Sequence, residues 1–81
     1  MEYVALTPQQ LGQVLKSCRK TRRLSQSAVG SKVGVKQSQI SVIEAHGAKA
    51  TVETLYKVLS ALGLELVVRD IQAPAPSSTD W

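Results

Sequence analysis

Residues 26–44 read QSAVGSKVGVKQSQISVIE, and place two glycines, Gly30 and Gly34, four residues apart in a segment whose apolar positions otherwise follow a helical period. A glycine inside a helix costs about 0.5–1 kcal/mol relative to alanine, so each position needs a reason. A tight turn after Val33 supplies one, because Gly34 can take backbone angles that other residues resist. A close crossing by the next helix supplies the other, since a side chain at Gly30 would push the two helices apart. Gln26, small Gly30, apolar Val33, Gly34, apolar Val35, inward Ile40 and Ile43, and closing Glu44 all fit one arrangement: a short helix, a tight bend and a second helix.

Upstream, Thr7-Pro8-Gln9-Gln10 has the signature of a helix start, with a hydroxyl cap, proline at the first helical position and Gln in the capping-box position. Leu11, Val14, Leu15 and Cys18 then recur at i, i+3, i+4 and i+7, which predicts a first helix from about Pro8 to Lys20. Ser25 is the next N-cap, with Val29 and Val33 as the inward face of the second helix. A third helix is expected over roughly Lys36 to Glu44, broken by His46-Gly47-Ala48. Thr51 caps a fourth, with Val52, Leu55, Tyr56, Leu59 and Leu62 on its buried face and Gly63 as its stop. From Leu64 to Arg69 the period changes to an alternation that predicts a strand. Its partner is either Tyr3-Val4-Ala5-Leu6 or the same strand in a second copy, because an unpaired edge invites association.

A chain of 81 residues is one domain at most. With 43% apolar residues, no Phe and one Trp, its core must be built from Val, Leu, Ile and Ala. The formal charge is +4. Of the ten basic residues, seven (Lys16, Arg19, Lys20, Arg22, Arg23, Lys32 and Lys36) fall in one stretch with no Asp or Glu. Such a block is either a solvated face or a surface for an anionic partner, of which nucleic acid is the commonest. The lone Cys18 allows no internal disulfide and no metal-ligand spacing, and its phase makes it a buried small residue. No signal region and no membrane-spanning run is expected, so the default compartment is the cytoplasm. His46, the only histidine, lies on a Gly-flanked turn without a paired nucleophile or carboxylate. No enzyme and no cofactor is expected.

The arrangement over Gln26 to Glu44 is the register of a helix-turn-helix. With the basic helix before it and the Thr51-Val52-Glu53-Thr54-Leu55 helix start after it, the chain resembles the Xre/Cro type of repressor domain from about Pro8 to Leu64. The fold class expected is therefore all-α with one short β-strand, a four-to-five-helix domain whose strands pair in a dimer. It divides into a helix-turn-helix DNA-binding and dimerisation domain, 1–70, and a C-terminal tail, 71–81.

In that arrangement the third helix enters the major groove and its N-terminal residues meet base edges. Gln37 can pair with N6 and N7 of adenine, and Lys36 can reach O6 and N7 of guanine or a phosphate. Ser38 and Ser41 are short enough to let the helix sit deep and can bond base edges or phosphates. Phosphate contacts are expected from helix starts and flexible cations: Gln26, Lys49, Thr51 and members of the Arg19, Arg22 and Arg23 set. A recognition helix this short reads few base pairs, so a homodimer is expected, with Leu64, Leu66 and Val68 buried between two copies of the strand.

The tail Ala73-Pro74-Ala75-Pro76-Ser77-Ser78-Thr79-Asp80-Trp81 ends in the only tryptophan. Nine extended residues reach roughly 25 Å at polyproline spacing, and a terminal indole suits the pocket of another protein. A repressor domain, a single strand and a Ser/Pro tail ending in Trp are together similar to the HipB antitoxins of persistence operons; Gly34-Val35-Lys36-Gln37 and Ser78-Thr79-Asp80-Trp81 carry that closer likeness. The resemblance implies a dimeric autorepressor that binds double-stranded operator DNA of its own promoter and complexes a HipA-like serine/threonine kinase toxin. It also implies that Trp81 docks on the kinase. Two rivals share the residues: a phage-like or housekeeping repressor without a toxin, and a protein-binding adaptor on the same scaffold.

Overall fold

The computed structural model describes residues 2–71 and contains four α-helices: α1 (Pro8–Thr21), α2 (Gln26–Val33), α3 (Gln37–Ala45) and α4 (Val52–Ala61), with a 3-10 turn at Gly47–Lys49. Each start that carries a hydroxyl cap lies where the sequence placed it. Thr7 Oγ1 accepts from the Gln10 amide at 3.1 Å. Ser25 Oγ accepts from Ala28 at 3.0 Å, and Thr51 Oγ1 from Thr54 at 3.1 Å. These bonds satisfy amides that have no partner within their helices. Helix α3 begins differently. Its N-cap is Lys36, which makes no side-chain cap bond.

The bend between α2 and α3 is closed by backbone. Gly34 has φ 71°, the left-handed region, and its amide and that of Val35 both bond to the Gly30 carbonyl, the latter at 2.9 Å. In return the Val35 carbonyl lies directly over the Gly30 Cα, so that a Cβ on residue 30 would collide with the Val35 oxygen. The small residue is thus required by the turn's own backbone rather than by a crossing of α3 over α2.

Helix α3 packs against both α1 and α2, and α2 packs also against α4. Their shared interior holds Leu15 and Cys18 of α1, Val29 of α2, Val35 of the turn, Ile40 and Ile43 of α3, Val58 and Leu59 of α4, and Leu62 just after it. Cys18 is completely buried, as its phase required. The inward face of α4 differs from the expected one. Val58 is 2% exposed, while Val52 and Tyr56 are 68% and 53% exposed. Because α4 packs principally on α2, only a narrow stripe is covered, and Leu55, Val58, Leu59 and Leu62 supply it at i, i+3, i+4 and i+7.

No strand occurs among the described residues: Leu64–Arg69 has no regular secondary structure in the single chain, nor has Tyr3–Leu6. A strand exists only with a hydrogen-bonded neighbour, and neither segment supplies a ladder to the other. One exposed ion pair, Arg69 Nη1 to Glu2 Oε1 at 2.9 Å, joins the two regions. Leu66, Val67 and Val68 are 45%, 66% and 91% exposed.

The two turn glycines are expected to fail differently on substitution. Gly34→Ala costs about 1–2 kcal/mol for its left-handed backbone alone, since a Cβ there meets nothing within 4 Å. Gly30→Ala must displace the Val35 carbonyl and costs more. Urea denaturation of the two variants measures the order.

Candidate nucleic-acid interface

The exposed start of α3 is organised from within by a carboxylate. Glu44, in the last turn of α3, has a side chain only 6% exposed. It accepts three hydrogen bonds: from Arg19 Nε at 2.6 Å, from Arg19 Nη2 at 3.1 Å and from Gln26 Nε2 at 3.0 Å. Arg19 Nη1 donates in addition to the Leu24 carbonyl at 2.9 Å. One guanidinium therefore ties α1 to α3 and to the loop before α2, while the carboxylate ties α3 to α2. Burial pushes the Glu44 carboxyl up, but the bonds from Arg19 and Gln26 and the charges of Arg19 and Lys16 outweigh it and hold its pKa below the ordinary carboxylate value. Gly12 gives α1 the room to lie this close, since a Cβ there would sit 2.6 Å from the carbonyl oxygens of Ile43 and Glu44.

The clamp extends to the surface. A carboxylate only accepts, so Gln26 must turn its NH2 toward Glu44 and its oxygen outward. That oxygen accepts from Gln37 Nε2 at 2.5 Å. Gln37, the first residue of α3, is thereby held at the exposed start of the helix. Its amide keeps a second N–H and its carbonyl oxygen free, the donor and acceptor that an adenine edge needs.

Ser38 and Val42 line a hollow of about 270 Å³ with Lys49, Ala50, Thr51 and Thr54 of the turn and the start of α4. Lys36, Gln37 and Ser38 are exposed, and Ser41 is half-buried. The structure thus places Gln26 beside Gln37, and Ser38 beside Lys49 and Thr51.

Other expected residues lie elsewhere. Arg19 is not a free phosphate ligand: its guanidinium is 11% exposed and committed to Glu44 and Leu24. Arg22 folds back to donate to the Cys18 carbonyl at 3.2 Å, and Arg23 sits at φ 57° in the loop that follows α1. Both are exposed, and neither is hydrogen-bonded to the Gln26–Gln37 pair. Leu64 packs on the chain's own core, leaving Leu66 and Val68 as open apolar groups. Trp81 lies outside the described residues.

Residues 15–68 match the Helix-turn-helix family. The antitoxin HipB of Escherichia coli strain K12 is 32% identical over 74 residues, which cover 91% of this chain and 84% of that protein. The chain belongs to the HipB family of helix-turn-helix antitoxins. Among solved structures, a HipB variant in complex with the O2 20-mer superposes with a TM-score of 0.84 at 28% identity, over 89% of this chain and all of that one. A HipA-HipB-O2-O3 complex matches with a TM-score of 0.81 at 29% identity, over the same shares.

Sequence reasoning missed the Arg19–Glu44 clamp. A signal was present: Arg19 follows Leu15 by four residues and Cys18 by one, and so falls on the inward side of α1. Glu44→Gln removes one partner of a buried charge pair and is expected to cost about 3–5 kcal/mol. Because the folded pKa is lowered, the wild-type contribution is complete above the ordinary carboxylate range and is lost as pH falls through the folded value. Urea denaturation at several pH values checks both points, the glutamine variant being the less acid-dependent.

Proposed function

We propose that this antitoxin is a dimeric autorepressor that binds the operator of its own operon and holds a HipA-type serine/threonine kinase toxin. The observation that carries the DNA reading is the Gln26–Gln37 amide pair, fixed from inside by Glu44 and displayed at the open start of α3. Lys36, Gln37, Ser38 and Ser41 contact bases, with Gln37 set for adenine. Gln26, Lys49 and Thr51 contact phosphates, joined by Arg22 and Arg23 where the backbone of the duplex reaches the loop after α1.

Two copies meet through the segment that starts at Leu64, with Leu66 and Val68 leaving water on pairing; their exposure in the single chain supports this. Leu64 contributes by anchoring the segment to the core. The division at residue 70 separates this DNA-binding and dimerisation domain from the tail, whose Trp81 docks on the toxin. The HipA-HipB complex among the structural neighbours supports the choice of partner. The protein works in the cytoplasm, associated with the nucleoid when on DNA, and has no catalytic role. Among the described residues no helix is long and apolar enough to cross a membrane.

Binding to the promoter duplex and to a random duplex tests the assignment. Gln37→Ala is expected to lose about 1–3 kcal/mol of discrimination between them, whereas Lys49→Ala weakens both alike. Wild-type log affinity falls linearly with log salt, by about 0.9 for each phosphate neutralised. A flat salt response would favour the adaptor reading.

A further inference from the structure

The open side of α3 carries two pairs at (i, i+4) spacing, Gln37 with Ser41 and Ser38 with Val42. Three of these residues are polar. Val42 is apolar and 42% exposed, while Ile40 and Ile43, which share its turn, are 1% and 4% exposed and fill the core. Val42 is therefore a surface residue of α3. Single exposed valines are ordinary, but this one lines the hollow shared by Ser38, Lys49 and Thr51, among the groups assigned above to DNA.

The chemistry of valine narrows what it can read there. Its side chain neither donates nor accepts a hydrogen bond. Among the features of the major-groove edges, the C5-methyl of thymine is the apolar one. Val42 is also β-branched, and one side-chain rotamer dominates for such residues in a helix, so its methyl groups are held in place before contact. At 1.5 Å rise per residue it stands roughly 7.5 Å along α3 from Gln37. That separation, against about 3.4 Å between successive bases of a strand, addresses a different base pair from the one Gln37 meets.

We propose that Val42 reads the 5-methyl group of a thymine in each operator half-site and is a specificity-determining residue of this interface. The inference rests on the DNA-binding reading and extends it to a further base. The side chain makes methyl-to-methyl contact, excludes water from the thymine edge and favours thymine over a base without that methyl.

Replacing each operator thymine singly with deoxyuridine tests this, because uracil keeps every pairing edge and lacks only the methyl. One position per half-site is expected to weaken wild-type binding about three- to fivefold, the affinity equivalent of one buried methyl group. Val42→Ala is expected to bind the thymine operator more weakly by a similar factor and to ignore the substitution at that position. Val42→Thr, which keeps one methyl, should retain part of the penalty. Thermal melts matching wild type show that both variants fold. Tight operator binding with no uracil penalty, or with the same penalty in Val42→Ala, would overturn the inference and leave the DNA reading standing. Wild-type failure to bind any duplex would overturn both.

Discussion

The carboxylate of Glu44 is the constraint on which the rest of this molecule depends. A buried charge is expensive unless it is paired and hydrogen-bonded, and here two bonds from Arg19 and one from Gln26 meet that requirement. Among the described residues no buried side-chain nitrogen or oxygen is left without a partner. The donors come from two different helices and the acceptor from a third. The cluster can be satisfied only when α1, α2 and α3 are assembled together, and charge pairing thus specifies the packing of a core that contains nothing larger than Leu and Ile among its buried residues.

The same cluster reaches the surface through one further bond. Gln26 commits one N–H of its NH2 to Glu44, and its oxygen can then hold Gln37 at the start of α3. An exposed glutamine ordinarily has several rotamers to lose on binding, at a cost of about 0.5–1.5 kcal/mol for an immobilised side chain. Gln37 has given up part of that freedom on folding. The proposed recognition surface is thus preorganised by the interior. Arg19, the basic residue most committed to structure, is for that reason unavailable to a phosphate.

The local part of this architecture was legible in the sequence. Thr7 with Pro8, Ser25, Thr51 and Gly34 act on backbone within a few residues, so their chemistry placed the helix boundaries closely. Positions whose role depends on distant chain were harder. Arg19 and Glu44 are separated by 25 residues, and the acid-free run around Arg19 suggested a solvated face or a surface for an anionic partner rather than a buried ion pair. Tyr56 and Val58 both suit an inward phase on α4. Which one is buried depends on how narrow a stripe α2 covers, and that is a tertiary quantity. Leu64–Arg69 has the composition of a strand, but composition cannot create a ladder where the single chain offers no neighbour. The position of Gln26, Gln37 and Ser38 around the exposed start of α3 was legible from the helix-turn-helix register. The ordering of Gln37 by Glu44 was not, because it passes through two side-chain contacts made only after folding.

The most direct measurement is an NMR titration of 15N-labelled protein with a duplex from its own promoter, following backbone and side-chain amides. The largest shifts are expected at the side-chain NH2 groups of Gln37 and Gln26 and at the backbone of Lys36 to Ser41, while the buried core of α4 stays unchanged. Perturbation confined to α4 and the Leu64–Ile71 segment, with the Gln26 and Gln37 signals unmoved, would contradict the placement of duplex DNA on α3.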